Sequence, residues 1–452
     1  MDQRRFVIMG AGEVGRYLAR GLSGEGHIVT LIDSDPAIGK RVEDQLDVGF
    51  VLGNGSHVPV LEKAQVARSD LFVAASASDE ANLAASLLAK SLGAPRTVVR
   101  VKTSEDVTRF GRVYEKNFKA DLLLSTQLLT TTRVLNYVLG YNTLDIEYIA
   151  GGALQVRRTA IEAGSVLTQV PLSEANLPKG CLILAFISEG RVVVPTGSDR
   201  AKVGDDVLVI GTRDTISEVE RRVSGHSQRV GLVVIAGGGD TARTVINGLE
   251  GQAARIKVIE LDRVRAEALA AEFPHHDVIH GDATDMSVLA SEGVGDARNF
   301  IALTGNDETN LMACLLAQEL GARQLTALVQ KSETSTLWRK VALLDVVSPR
   351  TIAAERIRTY IDSNYEPHIV SFENGAAEFI QRRVHAMSPT EGGLLENIEI
   401  PRGLLVAAVM RGGQAIIPRG GYRFEVGDEV VLFVRREEIG TAQLLFPGTD
   451  SD

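Results

Sequence analysis

Phe6-Val-Ile-Met-Gly-Ala-Gly-Glu-Val-Gly15 and, in the second half of the chain, Val233-Val-Ile-Ala-Gly-Gly-Gly-Asp-Thr-Ala242 decide the fold. Each is a short apolar run that ends in glycines and passes into helical periodicity. A buried parallel strand reads as a near-continuous apolar run, so each stretch predicts strand, tight turn and helix. In that context Gly10-x-Gly12-x-x-Gly15 is the dinucleotide fingerprint. Gly10 permits the turn, Gly12 lets the backbone approach a pyrophosphate, and Gly15 lets the helix pack closely on the strand. The helix N-terminus offers unpaired N–H groups and partial positive charge to phosphates. Asp33 ends the second expected strand, where its carboxylate can accept from both ribose hydroxyls and would repel a 2′-phosphate, with Asp35 adding to the repulsion. The second copy reads Gly237-x-Gly239-x-x-Ala242 with Glu260 as the acid. The alternative to ligand binding is a Rossmann-like turn kept for packing alone.

Working outward, the two stretches belong to a repeat. Gly10 and Gly237 stand 227 residues apart, and Leu31-Ile-Asp-Ser-Asp35 meets Val258-Ile-Glu-Leu-Asp262 at the same offset. Gly53-Asn-Gly-Ser56 meets Gly281-Asp-Ala-Thr284, and Ser78-Asp-Glu-Ala-Asn-Leu83 meets Asn306-Asp-Glu-Thr-Asn-Leu311, both at 228. A second motif also recurs, Val192-Val-Val-Pro-Thr-Gly with Val203-Gly-Asp-Asp-Val against Ala415-Ile-Ile-Pro-Arg-Gly with Val426-Gly-Asp-Glu-Val. The order is N1, C1, N2, C2. The join falls near the polar Arg222-Val-Ser-Gly-His-Ser-Gln-Arg229.

In the first N-type copy, strands are expected over 6–9, 28–32, 50–52, 71–75 and 98–101, with helices over 13–22, 37–46, 58–64 and 80–92. Such alternation predicts a parallel sheet with right-handed crossovers. Asp79 is expected to cap the helix beginning at Glu80. Ser125 and Ser348 precede amphipathic stretches, 126–139 and 349–361, that link each N-type domain to the C-type region after it. Ser348-Pro349 is a cap with proline at the first helical position. Residues 152–213 and 380–436 read as small α+β domains of short strands and turns.

Ser76, Ala77 and Thr304 end the fourth strands, where they either border a ligand crevice or form ordinary loops. Arg100 lies inside the apolar strand Val98-Val-Arg-Val101. A buried charge needs a partner, either a phosphate or a carboxylate such as Asp79. The second copy has no arginine there, so the two sites are expected to prefer different nucleotides.

The chain has 452 residues with 44% hydrophobic and 23% charged, and a net charge of −10 with no long basic run, which argues against nucleic acid. Cys181 and Cys314 sit in apolar runs and read as buried free thiols, fitting a reducing compartment. No apolar run reaches membrane-spanning length, and a strand within six residues of the start is expected to leave no room for a signal peptide. His275, His276 and His280 lack the partners of a metal site. His57 reads as a loop residue, Trp338 as packing, and the pairs Asp205-Asp206 and Asp428-Glu429 as solvated turns. No nucleophile–base set appears.

Taken together, the paired glycine motifs, the acids, the Gly-Asn-Gly-Ser and Gly-Asp-Ala-Thr loops and the Ser/Asn-Asp-Glu-x-Asn-Leu helix starts resemble the RCK (KTN) domain family, each copy followed by what resembles an RCK C-terminal domain. The resemblance implies an α/β fold of two Rossmann-like parallel-sheet N-terminal domains, each followed by a small α+β domain, with boundaries at 1–125, 142–225, 229–348 and 367–450. It implies NAD(H), ATP or ADP as regulatory ligands, held at Gly10, Ala11, Gly12, Glu13, Val14, Gly15, Asp33, Ser76, Ala77 and Arg100 in one copy and at Gly237, Gly238, Gly239, Asp240, Glu260 and Thr304 in the other. It further implies no catalysis. The expected role is a peripheral, cytoplasmic-face regulator of a Trk-type potassium-uptake system, acting on a membrane potassium-translocating subunit as a homo-oligomer, a tetramer or a dimer of dimers. An NAD-dependent oxidoreductase and a regulator of potassium efflux or antiport are the alternatives.

Overall fold

The computed structural model describes residues 3–139, 154–188, 191–223, 230–250, 253–330, 338, 344–362, 368–372, 376–412 and 414–447. The first N-type copy runs β1 (Arg5–Met9), α1 (Glu13–Gly24), β2 (Ile28–Asp33), α2 (Pro36–Gln45), β3 (Gly49–Leu52), α3 (Val58–Lys63), β4 (Leu71–Ala74), α4 (Asp79–Ser91), β5 (Thr97–Val101), α5 (Ser104–Phe118), β6 (Leu122–Ser125) and α6 (Thr126–Leu139). Its sheet is parallel in the order β3-β2-β1-β4-β5-β6. Successive strands leave the centre in opposite directions at β1 and β4, which opens a crevice beyond their C-terminal ends.

After β7 (Gln155–Ala160), α7 (Val166–Gln169), β8 (Cys181–Ser188), β9 (Arg191–Val193), β10 (Asp206–Gly211) and α8 (Arg213–Val223), the architecture returns. The second copy comprises β11 (Val230–Ala236), α9 (Asp240–Leu249), β12 (Ala253–Glu260), α10 (Arg263–Glu272), β13 (Asp277–His280), α11 (Met286–Ser291), β14 (Asn299–Ala302), α12 (Asp307–Leu320), β15 (Gln324–Leu328), β16 (Leu344–Val347) and α13 (Pro349–Asp362). Its strand order, β13-β12-β11-β14-β15-β16, repeats the first. The last stretch holds β17 (His368–Phe372), β18 (Ala377–Arg383), β19 (Leu404–Arg411), β20 (Gln414–Ile416), β21 (Glu429–Arg435) and α14 (Ile439–Leu445). The two C-type sheets are antiparallel, β7-β10-β8-β9 and β17-β18-β21-β19-β20.

The chain divides into two compact units. One joins Met1–Leu139 to Arg229–Thr359, so the two parallel sheets belong together; the other joins Gly140–Gln228 to Tyr360–Asp452. In the first unit α6 of the first domain packs on α9 of the second. Thr131 and Thr244 bring their hydroxyls to 2.8 Å, and Leu135 fills the space over Gly248, where an added Cβ would meet its Cδ1 at 2.4 Å. The opposite pairing sets α13 against α1, with Arg350 bridging to Glu13 at 2.9 Å and Arg358 to Glu25. The helices expected to lead into the C-type domains therefore also clasp the two N-type domains to each other. In the second unit, one apolar cluster draws Leu184, Ala185 and Leu208 from the first sheet and Phe379, Ala407 and Phe433 from the second.

Local expectations change in three respects. The cap of α4 is Ser78, whose hydroxyl accepts from Ala81 N at 3.2 Å, and Asn306 does the same for α12. Asp79 is instead the first helical residue and accepts from Lys102 N at 2.9 Å. A sixth strand and the helix before it, β6 and α5, complete a sheet expected to have five. Asp205 and Asp428 are buried rather than solvated: Asp428, 1% exposed, takes Arg411 on both oxygens at 2.7 Å and the Tyr422 hydroxyl at 3.0 Å. The glycine before each, Gly204 or Gly427, has φ near +90°, so the chain turns and feeds the acid inward. Ser125 and Ser348 do cap their helices, accepting from Leu128 N and Thr351 N. Most of the expected linker, 224–229, lies outside the described residues, as do 142–153.

Candidate nucleotide site

The first glycine turn hangs from β2, with Gly10 N donating to Ile32 O at 2.8 Å. Gly10 has φ +97°, and a Cβ there would stand 2.7 Å from Ser76 Cα, so both conformation and space demand glycine. At Gly15 a Cβ would stand 1.9 Å from Gly10 O, which lets α1 rest directly on the turn. Gly12 differs. It is extended (φ −65°, ψ −167°), which any residue adopts, and a Cβ would meet nothing within 4 Å. The protein itself gives no steric reason for glycine at that position.

Asp33 ends β2 half-buried. Its Oδ2 accepts from Ala11 N at 2.7 Å and its Oδ1 from Asp35 N at 3.0 Å, leaving each oxygen a further lone pair. Asp35 caps α2 through Ala37 N at 2.8 Å. Across the crevice Asn82, fully buried, staples the floor. Its Oδ1 accepts from Ser76 N and Oγ at 2.9 and 2.7 Å, while its Nδ2 donates to Ser76 O and Arg100 O at 3.1 and 2.9 Å. The Asp-Glu-x-Asn motif thus holds the ends of β4 and β5 in place, Asn82 with its amide and Asp79 with its carboxylate.

These elements enclose a cleft of about 570 Å³. Gly10, Gly12, Glu13, Val14, Asp33, Ser76, Ala77 and Arg100, all expected from sequence, line it. Ala11 is buried and contributes its N–H to Asp33, and Gly15 lies behind the turn. Sequence reasoning missed Asn54, Lys102 and Arg350, which also line the cleft. The repeated Gly-Asn-Gly-Ser loop and the cation two places after Arg100 were signals for the first two; nothing local pointed to Arg350.

Arg100 donates from Nε to Thr126 Oγ1 at 2.9 Å and from Nη1 to Ser76 O at 3.0 Å. Both of these partners are neutral, and the Asp79 carboxylate acts on the guanidinium through its charge. Burial lowers its pKa, Asp79 opposes that, and Arg350 of the other domain lowers it further.

The second site keeps the scaffold. Gly237 has φ +96°, and a Cβ would stand 3.0 Å from Thr304 N. Gly239 is extended (φ −75°, ψ −174°), again with nothing within 4 Å of a Cβ. Ala242 fills the third glycine's place and is fully buried. Glu260 is only 5% exposed, its Oε2 accepting from Gly238 N at 2.6 Å and its Oε1 from Asp262 N at 2.8 Å. Thr304 gives its N–H and hydroxyl to Asn310 Oδ1 at 2.9 and 2.6 Å, the same clamp as Ser76 with Asn82. The carbonyl of Asp240 accepts from Gln127 Nε2 of the first domain at 3.1 Å.

Cys181 and Cys314 are buried, and burial pushes the Cys314 thiol up to about 12. Trp338 belongs to the core of the second N-type domain. Among the described residues no group of three His, Cys, Asp or Glu side chains is placed to hold a metal, and no helix is long and apolar enough to cross a membrane.

Residues 6–121 and 233–349 match the family model described as TrkA-N domain, and residues 156–224 and 379–446 match the TrkA-C domain. The chain is 29% identical over 453 residues to the Trk system potassium uptake protein TrkA of Azorhizobium caulinodans, covering 98% of each. It is 28% identical over 438 residues to the protein of that name from Haemophilus influenzae, covering 95% of each. Among solved structures, the GsuK channel bound to NAD resembles it with a TM-score of 0.59 at 18% identity, covering 98% of this chain and 79% of that one, a likeness of fold. With two TrkA-N and two TrkA-C domains alternating over most of its length, the chain belongs to the TrkA family.

Proposed function

We propose that this protein is the nucleotide-responsive regulatory subunit of a Trk-type potassium-uptake system, acting by binding rather than by turnover on a membrane potassium-translocating partner at the cytoplasmic face. The observation that carries the reading is Gly12, matched by Gly239: each is a glycine that neither backbone conformation nor packing requires, with open space above it. A pyrophosphate drawn close to the backbone N–H groups of α1 supplies the missing reason. Asp33, with lone pairs left over from its loop bonds, stands where an adenosine ribose would lie, and Ser76, Ala77 and Arg100 bound the phosphate side. The curated relatives carry a potassium-uptake name, and the GsuK structure is described as bound to NAD, which makes NAD(H) or an adenine nucleotide the first ligands to test.

A ligand shifts a conformational equilibrium only by its differential affinity for the two states. The crossed helices α6 and α13 begin at the clefts and end against the opposite domain, so they are the elements through which occupancy would alter the pairing and, in a homo-oligomer of two or four chains, the partner. Potassium flux into vesicles holding the membrane subunit, with this protein and NADH, ATP or ADP added, tests the proposal. Flux is expected to respond to at least one nucleotide, and Asp33→Ala to remove the response of the first site. A flux indifferent to all three nucleotides would sink it.

A further inference from the structure

The acids that end the second strand of each N-type copy hold the same backbone groups but do not stand equally open. Asp33 accepts from Ala11 N and Asp35 N, and Glu260 from Gly238 N and Asp262 N, all three pairs of positions being 227 residues apart. Glutamate is longer by one methylene. Rooted at the same strand end and tied to the same two N–H groups, it must take up that length somewhere, and it does so against Gly238. A Cβ there would stand 3.2 Å from Glu260 Oε2 and 3.1 Å from Leu269 Cδ2, whereas the first copy carries the buried Ala11 at that place. Asp33 with Ala11 and Glu260 with Gly238 are therefore matched pairs. The exchange changes what the carboxylate presents. Asp33 is half-buried and lines the first cleft. Glu260 is 5% exposed, and Arg265 Nη1 lies 3.9 Å from its Oε2, where the first copy has Ile38.

We propose that Glu260 is a positioning residue that staples its own glycine turn and leaves the ribose unread, so that the second cleft takes nucleoside phosphates with or without a 2′-hydroxyl while the first cleft requires one. The proposal rests on the nucleotide reading above. A hydroxyl is read only by an acceptor it can reach at hydrogen-bond distance. Asp33 keeps both loop bonds and still faces its cleft, so a ribose hydroxyl can add to them. Glu260 points its carboxylate inward. To turn outward it would leave Gly238 N and Asp262 N without their acceptor, and an unpaired buried N–H costs more than a hydroxyl bond returns. A site rejects an analogue lacking a hydroxyl when that loss strands one of its own polar groups. Glu260, satisfied from within the protein, is not stranded. Recognition at the second site then falls on the phosphates, through Gly239 and the start of α9, and phosphates are common to ribose and deoxyribose nucleotides.

Calorimetric titration of the full-length chain with ATP and 2′-deoxy-ATP tests this, one site at a time. Gly12→Asp and Gly239→Asp each set a carboxylate where the phosphates would lie, at positions whose extended backbone and open surroundings accept a side chain. With the second site blocked by Gly239→Asp, the first is expected to bind 2′-deoxy-ATP about tenfold more weakly than ATP, which corresponds to about 1.4 kcal/mol. With the first blocked by Gly12→Asp, the second is expected to bind the two within about twofold of each other. Adding Gly238→Ala/Glu260→Asp to the Gly12→Asp chain copies the first-site pair and is expected to bring the ribose preference with it. A Gly12→Asp chain that rejects 2′-deoxy-ATP as strongly as the Gly239→Asp chain, or that binds neither compound, overturns the proposal, as does a first site indifferent to the hydroxyl. Each of these outcomes leaves nucleotide binding by the wild-type chain standing. A wild-type chain that binds neither ATP, ADP nor NADH overturns that reading itself.

Discussion

At the scale of single residues, the glycine turn separates demands made by the protein from demands made by something outside it. Gly10 is fixed by its φ of +97° and by the nearness of Ser76, and Gly12 by neither. Gly10→Ala is therefore expected to cost on the order of 1–3 kcal/mol of stability through strain at a positive φ and a backbone clash. Gly12→Ala is expected to melt within about 0.5 kcal/mol of wild type yet to bind nucleotide more weakly. Thermal unfolding and calorimetry on the two variants check the contrast, and a Gly12→Ala chain that melts like Gly10→Ala would contradict it. The pattern Gly-x-Gly-x-x-Gly was legible in the sequence because its three glycines stand at a fixed spacing between an apolar strand and a helix. The function of Asn82 was not: an asparagine inside a helical stretch carries no sign that its amide reaches the ends of two strands, one of them 18 positions away.

At the scale of elements, hydrophobic patterning located the strands and helices because a buried parallel strand and an amphipathic helix leave different periods. The first-copy strands sit within a residue of expectation. The cap of α4 was misplaced by one residue because Ser78 and Asp79 are both good caps, and Lys102 N competes for the aspartate. The turn at Asp428 was misread for a related reason. An acid after a glycine is usually solvated, but Arg411, a strand away, draws this one into the core. Burial pushes the Asp428 carboxyl up, but its bonds to Arg411, to Glu425 N and to Tyr422 outweigh burial and hold it below the ordinary carboxylate range. A depressed folded value means that the stabilisation is complete above the unfolded pKa of about 3.9 and disappears as pH falls through the folded value. Asp428→Asn is expected to lower stability by about 1–2 kcal/mol at pH 7, with the gap to wild type closing in acid. Urea midpoints across pH report this, and a gap that persists at the most acidic pH would argue against it.

At the scale of the whole molecule, the chain order N1, C1, N2, C2 gives way to a pairing of like with like. The hydroxyls of Thr131 and Thr244, 2.8 Å apart on α6 and α9, put this pairing within reach of a cross-link. Thr131→Cys/Thr244→Cys is expected to close a disulfide within one chain on mild oxidation, since hydroxyls in hydrogen-bond contact leave sulfurs at the same positions within reach of each other. A faster-migrating monomer band in non-reducing electrophoresis is the expected result. A cross-linked dimer would place the contact between two chains instead.

By itself the sequence determined the repeat, the two Rossmann-like sheets, the glycine turns with Asp33 and Glu260, and the loss of Arg100's counterpart in the second copy. All of these are written in local periodicity or in residues whose own conformation or charge demands them. Only the tertiary structure decided that the two N-type domains clasp through crossed helices and that Arg350 enters a cleft whose other walls lie more than two hundred positions earlier in the chain. Pairing of distant surfaces depends on shape and charge complementarity summed over many side chains, and no window of neighbouring residues contains that sum.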